Sequence, residues 1–296
     1  MKTSDNLNGA IFLVLAMFCY TSGDTLVKFM TGNLNLGQII AVRGIIAFFI
    51  VAAIIHYKKQ WGGILFLKDK WVILRTIAET LATFFFFTGL SKTPIGDTAA
   101  IMQVIPLTVT LGAALFLGES VGWRRWIAIL IGLLGVMIII RPGFEGFNTY
   151  TLYIAAAVMM VTFRDLVTRR FSKQTPTLMV NLLTNLAAIP LGLLMLAPSS
   201  GWQPMSSLDL AYIVLGAITI IVASQTIILA MRTAEISSIA PLRYIALPIA
   251  IAYGFLVFGD VPDIWMIIGS AIVVCMGIYT FHRERILKQK TQAKLV

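Results

Sequence analysis

Composition and charge define the class of protein before any motif is considered. The chain has 296 residues, of which 58% are hydrophobic and 12% charged, and its mean hydropathy is +0.89. Soluble domains carry about 25% charged residues, so this chain cannot cover a globular surface with polar groups. That excludes a soluble enzyme, a disordered tail and a nucleic-acid-binding domain, despite the net charge of +10. It predicts an integral membrane protein.

Ten apolar runs are each long enough to cross a bilayer, which requires about 20 mostly apolar residues. In chain order, and numbered here span 1 to span 10, they are 9–30, 37–57, 71–90, 96–117, 124–141, 150–168, 177–197, 208–230, 236–257 and 264–281. The runs do not alternate as barrel strands do, so all ten are predicted to be helices. The connectors between them are short, which places any function within the membrane.

The distribution of lysine and arginine predicts the orientation of these helices. If the N-terminus is cytoplasmic, sixteen of the 23 basic residues lie on the cytoplasmic side and three on the outer side, with the other four inside spans. Positive charge accumulates on the cytoplasmic side of membrane proteins. We therefore expect a protein of the cell's inner membrane with both termini on the cytoplasmic side. The basic tail 282–296 is expected to anchor this topology and to contact inner-leaflet lipids.

An internal repeat divides the chain into halves. The segment from Asp24 to Phe29 resembles the segment from Asp165 to Phe171, and Leu117-Gly-Glu119 resembles Phe258-Gly-Asp260. Both matches have the same offset, 141 residues. Five spans in each half give the halves opposite orientations, so we predict two inverted five-helix repeats, 1–148 and 149–296. Inverted repeats are a common architecture of secondary transporters, although an ancient duplication without a transport role would leave the same pattern.

The chain resembles the EamA type of the drug/metabolite transporter superfamily across almost its whole length. The resemblance rests on short motifs in a fixed order: Asp24-x-x-Val-Lys28, Gln38 with Arg43, Pro94-x-x-Asp97-x-x-x-Ile101, Gly118-Glu119 with Arg124-Arg125-Trp126, Ala240-Pro-x-Arg-Tyr244, and Phe258-Gly-Asp260-Val-Pro262. It implies a ten-helix transporter of small organic metabolites. Its central cavity would be lined mainly by spans 3, 4, 8 and 9. Within the family, the chain is most similar to members that carry riboflavin or S-adenosylmethionine.

Polar side chains at mid-depth predict a substrate site. A charge at the bilayer centre costs at least about 2.5–3.5 kcal/mol on insertion scales, so intramembrane charges are functional candidates. We assign Glu79, Gln103, Arg243 and Tyr244 to this site. The alternative for Glu79 and Arg243 is a structural role. Prolines 106 and 248 are expected to bend spans 4 and 9, which suits a cavity wall.

A second group of charges predicts two gates. Asp24 and Arg43 share a depth near the outer ends of spans 1 and 2, and Lys28 lies one turn beyond Asp24. Asp165, the repeat mate of Asp24, lies beside Arg164 near the inner end of span 6. An outer and an inner ion pair would suit alternating access. A static pair in the first case and interfacial snorkelling in the second are the structural alternatives.

Spans 5 and 10 contain small residues and no intramembrane charge, which indicates scaffold or a homodimer face. We expect no cofactor: the sequence has no phosphate-binding loop, and Cys19 and Cys275 provide neither a disulfide framework nor metal-ligand spacing. The leading prediction is a secondary transporter that is not an enzyme, with a small-molecule substrate. An intramembrane enzyme and a membrane receptor or scaffold are the alternatives. A transport assay in liposomes discriminates among the three.

Overall fold

A computed structural model describes residues 3–118, 122–143, 147–168, 170, 175–197, 201–233 and 239–292. Within these ranges the protein contains helices and no strand, and ten helices are long and apolar enough to cross a membrane. The predicted all-α, ten-span membrane fold is confirmed. The continuous helices are Thr3–Met30, Leu36–Tyr57, Lys70–Leu90, Trp123–Ile140, Tyr150–Thr168, Thr177–Leu196, Ser207–Thr233 and Ile264–Gln292, which are spans 1, 2, 3, 5, 6, 7, 8 and 10.

Spans 4 and 9 are interrupted, each just before a proline. Span 4 consists of two helices, Ile95–Met102 and Ile105–Phe116. Span 9 begins as a 3-10 helix, Ala240–Ile245, continues as an α-helix, Ala246–Tyr253, and ends in a π-turn, Gly254–Phe258. A proline has no N–H to give to the carbonyl four residues earlier. The interruptions therefore occur where Pro106 and Pro248 cannot donate a backbone hydrogen bond.

The helices group into two compact units, each built from both halves of the sequence. Unit 1 comprises Met1–Thr21, Thr93–Leu152 and Ala223–Val296, and unit 2 comprises Ser22–Lys92 and Tyr153–Val222. The compact units therefore follow a different division from the predicted repeats 1–148 and 149–296. The repeat division itself stays a prediction.

Unit 2 is organised around the close crossing of spans 2 and 7. A Cβ added to Gly192 would lie 2.5 Å from both the Ala41 nitrogen and the Gly37 oxygen, so the two backbones touch. Further along, a Cβ on Gly44 would lie 3.3 Å from the Asn185 oxygen. Residue numbers rise along span 2 as they fall along span 7 in these contacts, so the two helices are antiparallel. Gly44 and Asn185 are 141 residues apart, the same offset as the sequence repeat.

Unit 1 contains the equivalent crossing of spans 5 and 10. A Cβ on Gly269 would lie 2.6 Å from the Gly135 oxygen, and Gly132 packs against Leu107. The ring of Tyr244 occupies the space beside Gly277. These glycines therefore pack against other parts of the same chain. The predicted homodimer would need other faces of spans 5 and 10, and it stays a prediction.

Candidate functional site

Four charged side chains from spans 3 and 6 form an ion cluster in unit 2, here called the Glu79 cluster. Arg164 Nη1 donates to Glu79 Oε2 at 2.8 Å, and Arg164 Nε donates to Asp165 Oδ1 at 2.9 Å. Arg75 Nη2 lies 3.6 Å from the same Glu79 oxygen. Arg75 Nη1 also donates to the Thr184 hydroxyl on span 7 at 2.8 Å. Arg164 is therefore the central residue of the cluster, shared by two carboxylates.

The cluster joins residues that sequence reasoning assigned to two different roles. Glu79 was predicted to bind substrate, whereas Arg164 and Asp165 were predicted to form the inner gate, and the structure places all three in contact. Arg75 was absent from the predicted site, although its i, i+4 spacing before Glu79 is the pattern of a helical ion pair. Thr184 has no sequence signal of this kind, because its role depends on the packing of span 7.

Aromatic rings extend from the cluster along span 3. The Phe84 and Phe85 ring centroids are 5.2 Å apart and nearly perpendicular, and Phe85 lies 6.2 Å from Tyr153 on span 6. Edge-to-face and offset pairs of this kind are favourable by about 0.5–1.5 kcal/mol beyond their burial. Phe85 is six residues beyond Glu79, or about 9 Å along the helix. The contact between spans 3 and 6 therefore consists of a charged region followed by an aromatic region.

A second group of side chains, here called the Arg43 cluster, lies near the end of span 1, the beginning of span 2 and the end of span 3. Arg43 is 8% exposed, attracts the Asp24 carboxylate electrostatically and lies over the Phe87 ring, 5.4 Å from its centroid. Lys28 Nζ donates to the Leu90 carbonyl at 3.2 Å. The pairing of Asp24 with Arg43 stays a prediction. The role of these residues in gating also stays a prediction.

Gln103, Arg243 and Tyr244 lie together in unit 1, at the interruptions of spans 4 and 9. The Gln103 side-chain amide is 3.5 Å from the carbonyls of Arg243 and Tyr244, a long contact. The Tyr244 carbonyl is the one that Pro248 leaves without its helical donor. The Tyr244 side chain is 6% exposed, and its hydroxyl has no partner among the described residues. Three of the four predicted substrate residues are thus neighbours, while Glu79 belongs to unit 2.

Unit 1 also contains an acidic pocket that sequence reasoning did not select. It has a volume of ≈ 120 Å³, and its lining includes Asp97, Asp260 and Asp263. Asp263 forms an ion pair with Arg141 and accepts a hydrogen bond from the Met266 N–H at 2.7 Å. Partial burial alone would raise the pKa of the Asp263 carboxyl, but these hydrogen bonds and the arginine charge hold it below its ordinary value. Across the described residues, no group of three His, Cys, Asp or Glu side chains is arranged to hold a metal ion.

Comparison with known proteins finds similarity to one transporter family and to individual transporters. Residues 7–141 match the profile of the EamA-like transporter family. The first half of the chain is therefore similar to this family. The chain is 28% identical to the riboflavin transporter of Vibrio cholerae serotype O1 over 90% of its own length and 91% of the relative's. It is 23% identical to the S-adenosylmethionine uptake transporter of Rickettsia conorii, over 94% of each chain.

A crystal structure with 19% sequence identity has the same fold. It superimposes with a TM-score of 0.62 and covers 97% of this chain and 99% of its own. The agreement extends over both halves, well beyond the residues that match the family profile. With ten apolar helices and transporters among its relatives, the chain is a multi-pass membrane protein.

Proposed function

We propose that the protein is a secondary transporter that moves a small organic metabolite with a planar heteroaromatic ring, in the class of riboflavin and S-adenosylmethionine. The names of the relatives support this class, because both of those compounds combine such a ring with polar groups. EamA-type proteins are transporters rather than enzymes. An intramembrane enzyme or a receptor would fail to accumulate substrate across a membrane.

The Glu79 cluster is the main structural support for this proposal. Two arginines and two carboxylates lie together inside the spans, where unpaired charges are very costly. Their pairing makes the cluster neutral as a whole, so it can persist without substrate. A substrate with its own charged and polar groups can exchange partners with Arg164 and Glu79, while Phe85 and Tyr153 offer a surface for a planar ring.

Alternating access would use the repeat symmetry within each unit. An inverted repeat would bring symmetry-related residues into contact only near its pseudo-two-fold axis, and two contacts support this proposal: Gly44 with Asn185 in unit 2, and Gln103 with Tyr244 in unit 1. Each pair is separated by 141 residues. The same offset relates Asp24 to Asp165. We therefore propose that the Arg43 cluster closes the outer side of the transporter and the Glu79 cluster closes the inner side.

Uptake into liposomes tests this function. Purified protein should transport labelled riboflavin or labelled S-adenosylmethionine, and Glu79→Gln should abolish uptake, whereas Asp209→Asn, at a half-buried position at the start of span 8, should not. Phe85→Leu should raise KM by about two- to twelvefold through loss of ring contacts. Phe49→Leu is its matched control, because Phe49 is 66% exposed. Absence of transport for both compounds would refute the substrate class, and equal uptake by the Glu79 and Asp209 variants would remove the site from this cluster.

In the proposed orientation, the protein lies in the cell's inner membrane and both termini are on the cytoplasmic side. Single cysteines at Tyr57 and Ser207, in a background without Cys19 and Cys275, test it. Five spans separate the two positions, so an impermeant thiol reagent should reach Ser207→Cys from outside and Tyr57→Cys only after permeabilisation. The reverse pattern would invert the orientation, and labelling of both from one side would contradict the ten-span topology.

A further inference from the structure

Two cations lie over one tryptophan ring where span 3 begins. Lys70 Nζ is 5.3 Å from the centroid of the Trp71 ring, and the Arg170 guanidinium carbon is 5.8 Å from it. Asp69 caps the helix by accepting a hydrogen bond from the Trp71 N–H at 2.8 Å, which holds the tryptophan in place. Two positive charges beside one ring would attract an anion bound there.

An apolar groove leads from this ring along the outside of span 3. It has a volume of ≈ 400 Å³ and is lined by Lys70, Trp71, Ile73, Leu74 and Ile77. Ile73 is 44% exposed and Ile77 is 51% exposed, so the groove is open at its side. From Trp71 to Ile77 it descends about 9 Å towards the bilayer centre. The groove thus has a basic end at the membrane surface and an apolar end in the hydrocarbon region.

The segment before span 3 has the composition of a membrane-surface element. The 3-10 helix Trp61–Lys68 exposes Ile64 (51%) and Leu65 (73%). Lys58 and Lys59 precede it, and Lys68 ends it. Apolar side chains flanked by lysines are typical of segments that lie in the headgroup layer of an anionic membrane. This positions the Trp71 ring at headgroup depth.

We propose that this groove is a binding site for one anionic phospholipid. The phosphate contacts Lys70 and Arg170 beside the Trp71 ring, and one acyl chain lies along Ile73, Leu74 and Ile77. Charge complementarity selects the occupant, because the basic end attracts a lipid with net negative charge more strongly than a zwitterionic one. The site lies on the outside of unit 2 and is independent of the transported substrate.

Thermal stability of delipidated full-length protein in detergent tests the proposal. Titration with phosphatidylglycerol should raise Tm more than titration with phosphatidylcholine, and glycerol 3-phosphate, which lacks acyl chains, should have no effect. Lys70→Gln combined with Arg170→Gln should weaken the apparent affinity for phosphatidylglycerol by about thirtyfold, at about 1 kcal/mol for each basic side chain. The control is Arg124→Gln, since Arg124 also stacks on a tryptophan, 5.2 Å from the Trp123 centroid, but in unit 1.

Several outcomes would overturn the proposal. Equal stabilisation by the two phospholipids would show that charge does not select the occupant, and an effect of glycerol 3-phosphate equal to that of phosphatidylglycerol would indicate a site for a soluble anion. An equal loss of affinity in the Arg124 control would indicate diffuse surface attraction. An unchanged Tm of the double variant in phosphatidylcholine confirms that it is folded.

Discussion

Arg164 should be the most sensitive position of the Glu79 cluster. Arg164→Gln removes the 2.8 Å pair with Glu79 and the 2.9 Å hydrogen bond to Asp165 in one step. Among the described residues, Glu79 then retains only Arg75 as a cationic partner, at 3.6 Å. Arg75→Gln is the matched control, because it removes the same kind of cation from the same carboxylate but leaves the shorter pair intact.

The contacts set the size of the expected difference. Leaving a buried charge without its partner costs about 3–5 kcal/mol. Since Arg75 still attracts Glu79 in the first variant, we expect about 3 kcal/mol for Arg164→Gln. The control loses a longer contact and a charge-assisted hydrogen bond to the Thr184 hydroxyl, and we expect about 1.5 kcal/mol. Glu79→Gln should lie between them, because Arg164 keeps Asp165 and Arg75 keeps Thr184.

Unfolding free energies in mixed detergent micelles measure these differences, and the double variant of Glu79 and Arg164 completes a thermodynamic cycle. Removal of both charges should cost about 2 kcal/mol less than the sum of the single changes, within the range known for contacting pairs. The reasoning would be refuted if Arg75→Gln destabilised the protein as much as Arg164→Gln, or if the two single changes were additive.

Three further predictions concern other parts of the protein. Asp24→Asn or Arg43→Gln alone should impair transport, and the double neutral variant should recover stability; if a cysteine reporter placed near Gln103 is labelled from outside no faster in these variants and transport is intact, the pair is no gate. Gly192→Ala should destabilise the protein by about 1–3 kcal/mol, because its Cβ would meet backbone atoms at 2.5 Å, whereas the control Gly216→Ala has open space; equal thermal shifts would contradict the close crossing. Asp263 has a lowered pKa, so its ion pair should stabilise the protein above the ordinary carboxyl pKa of about 3.9 and lose that effect as pH falls further; a difference in Tm between wild type and Asp263→Asn that grows on acidification would have the wrong sign.

The candidate site was only partly predictable from sequence. Glu79, Arg164 and Asp165 could be selected individually, because a charged residue in an apolar run stands out. Their mutual contact could not, because spans 3 and 6 are more than 80 residues apart at these positions and no local pattern reports which spans are neighbours. For Asp24 and Arg43, consecutive spans and equal depth predict a pairing, which stays a prediction.

The sequence by itself determined the class of the protein and the number and bounds of its spans. Hydrophobic length is a local property, and the bilayer requires every backbone polar group to be satisfied within the helix, so each span can be recognised alone. Only the tertiary structure decided which spans pack together, where spans 4 and 9 are interrupted, and that each compact unit draws on both halves of the chain. These depend on long-range packing, such as the contact of Gly37 with Gly192, where the fit of one helix surface on another, rather than hydrophobicity, selects the partner.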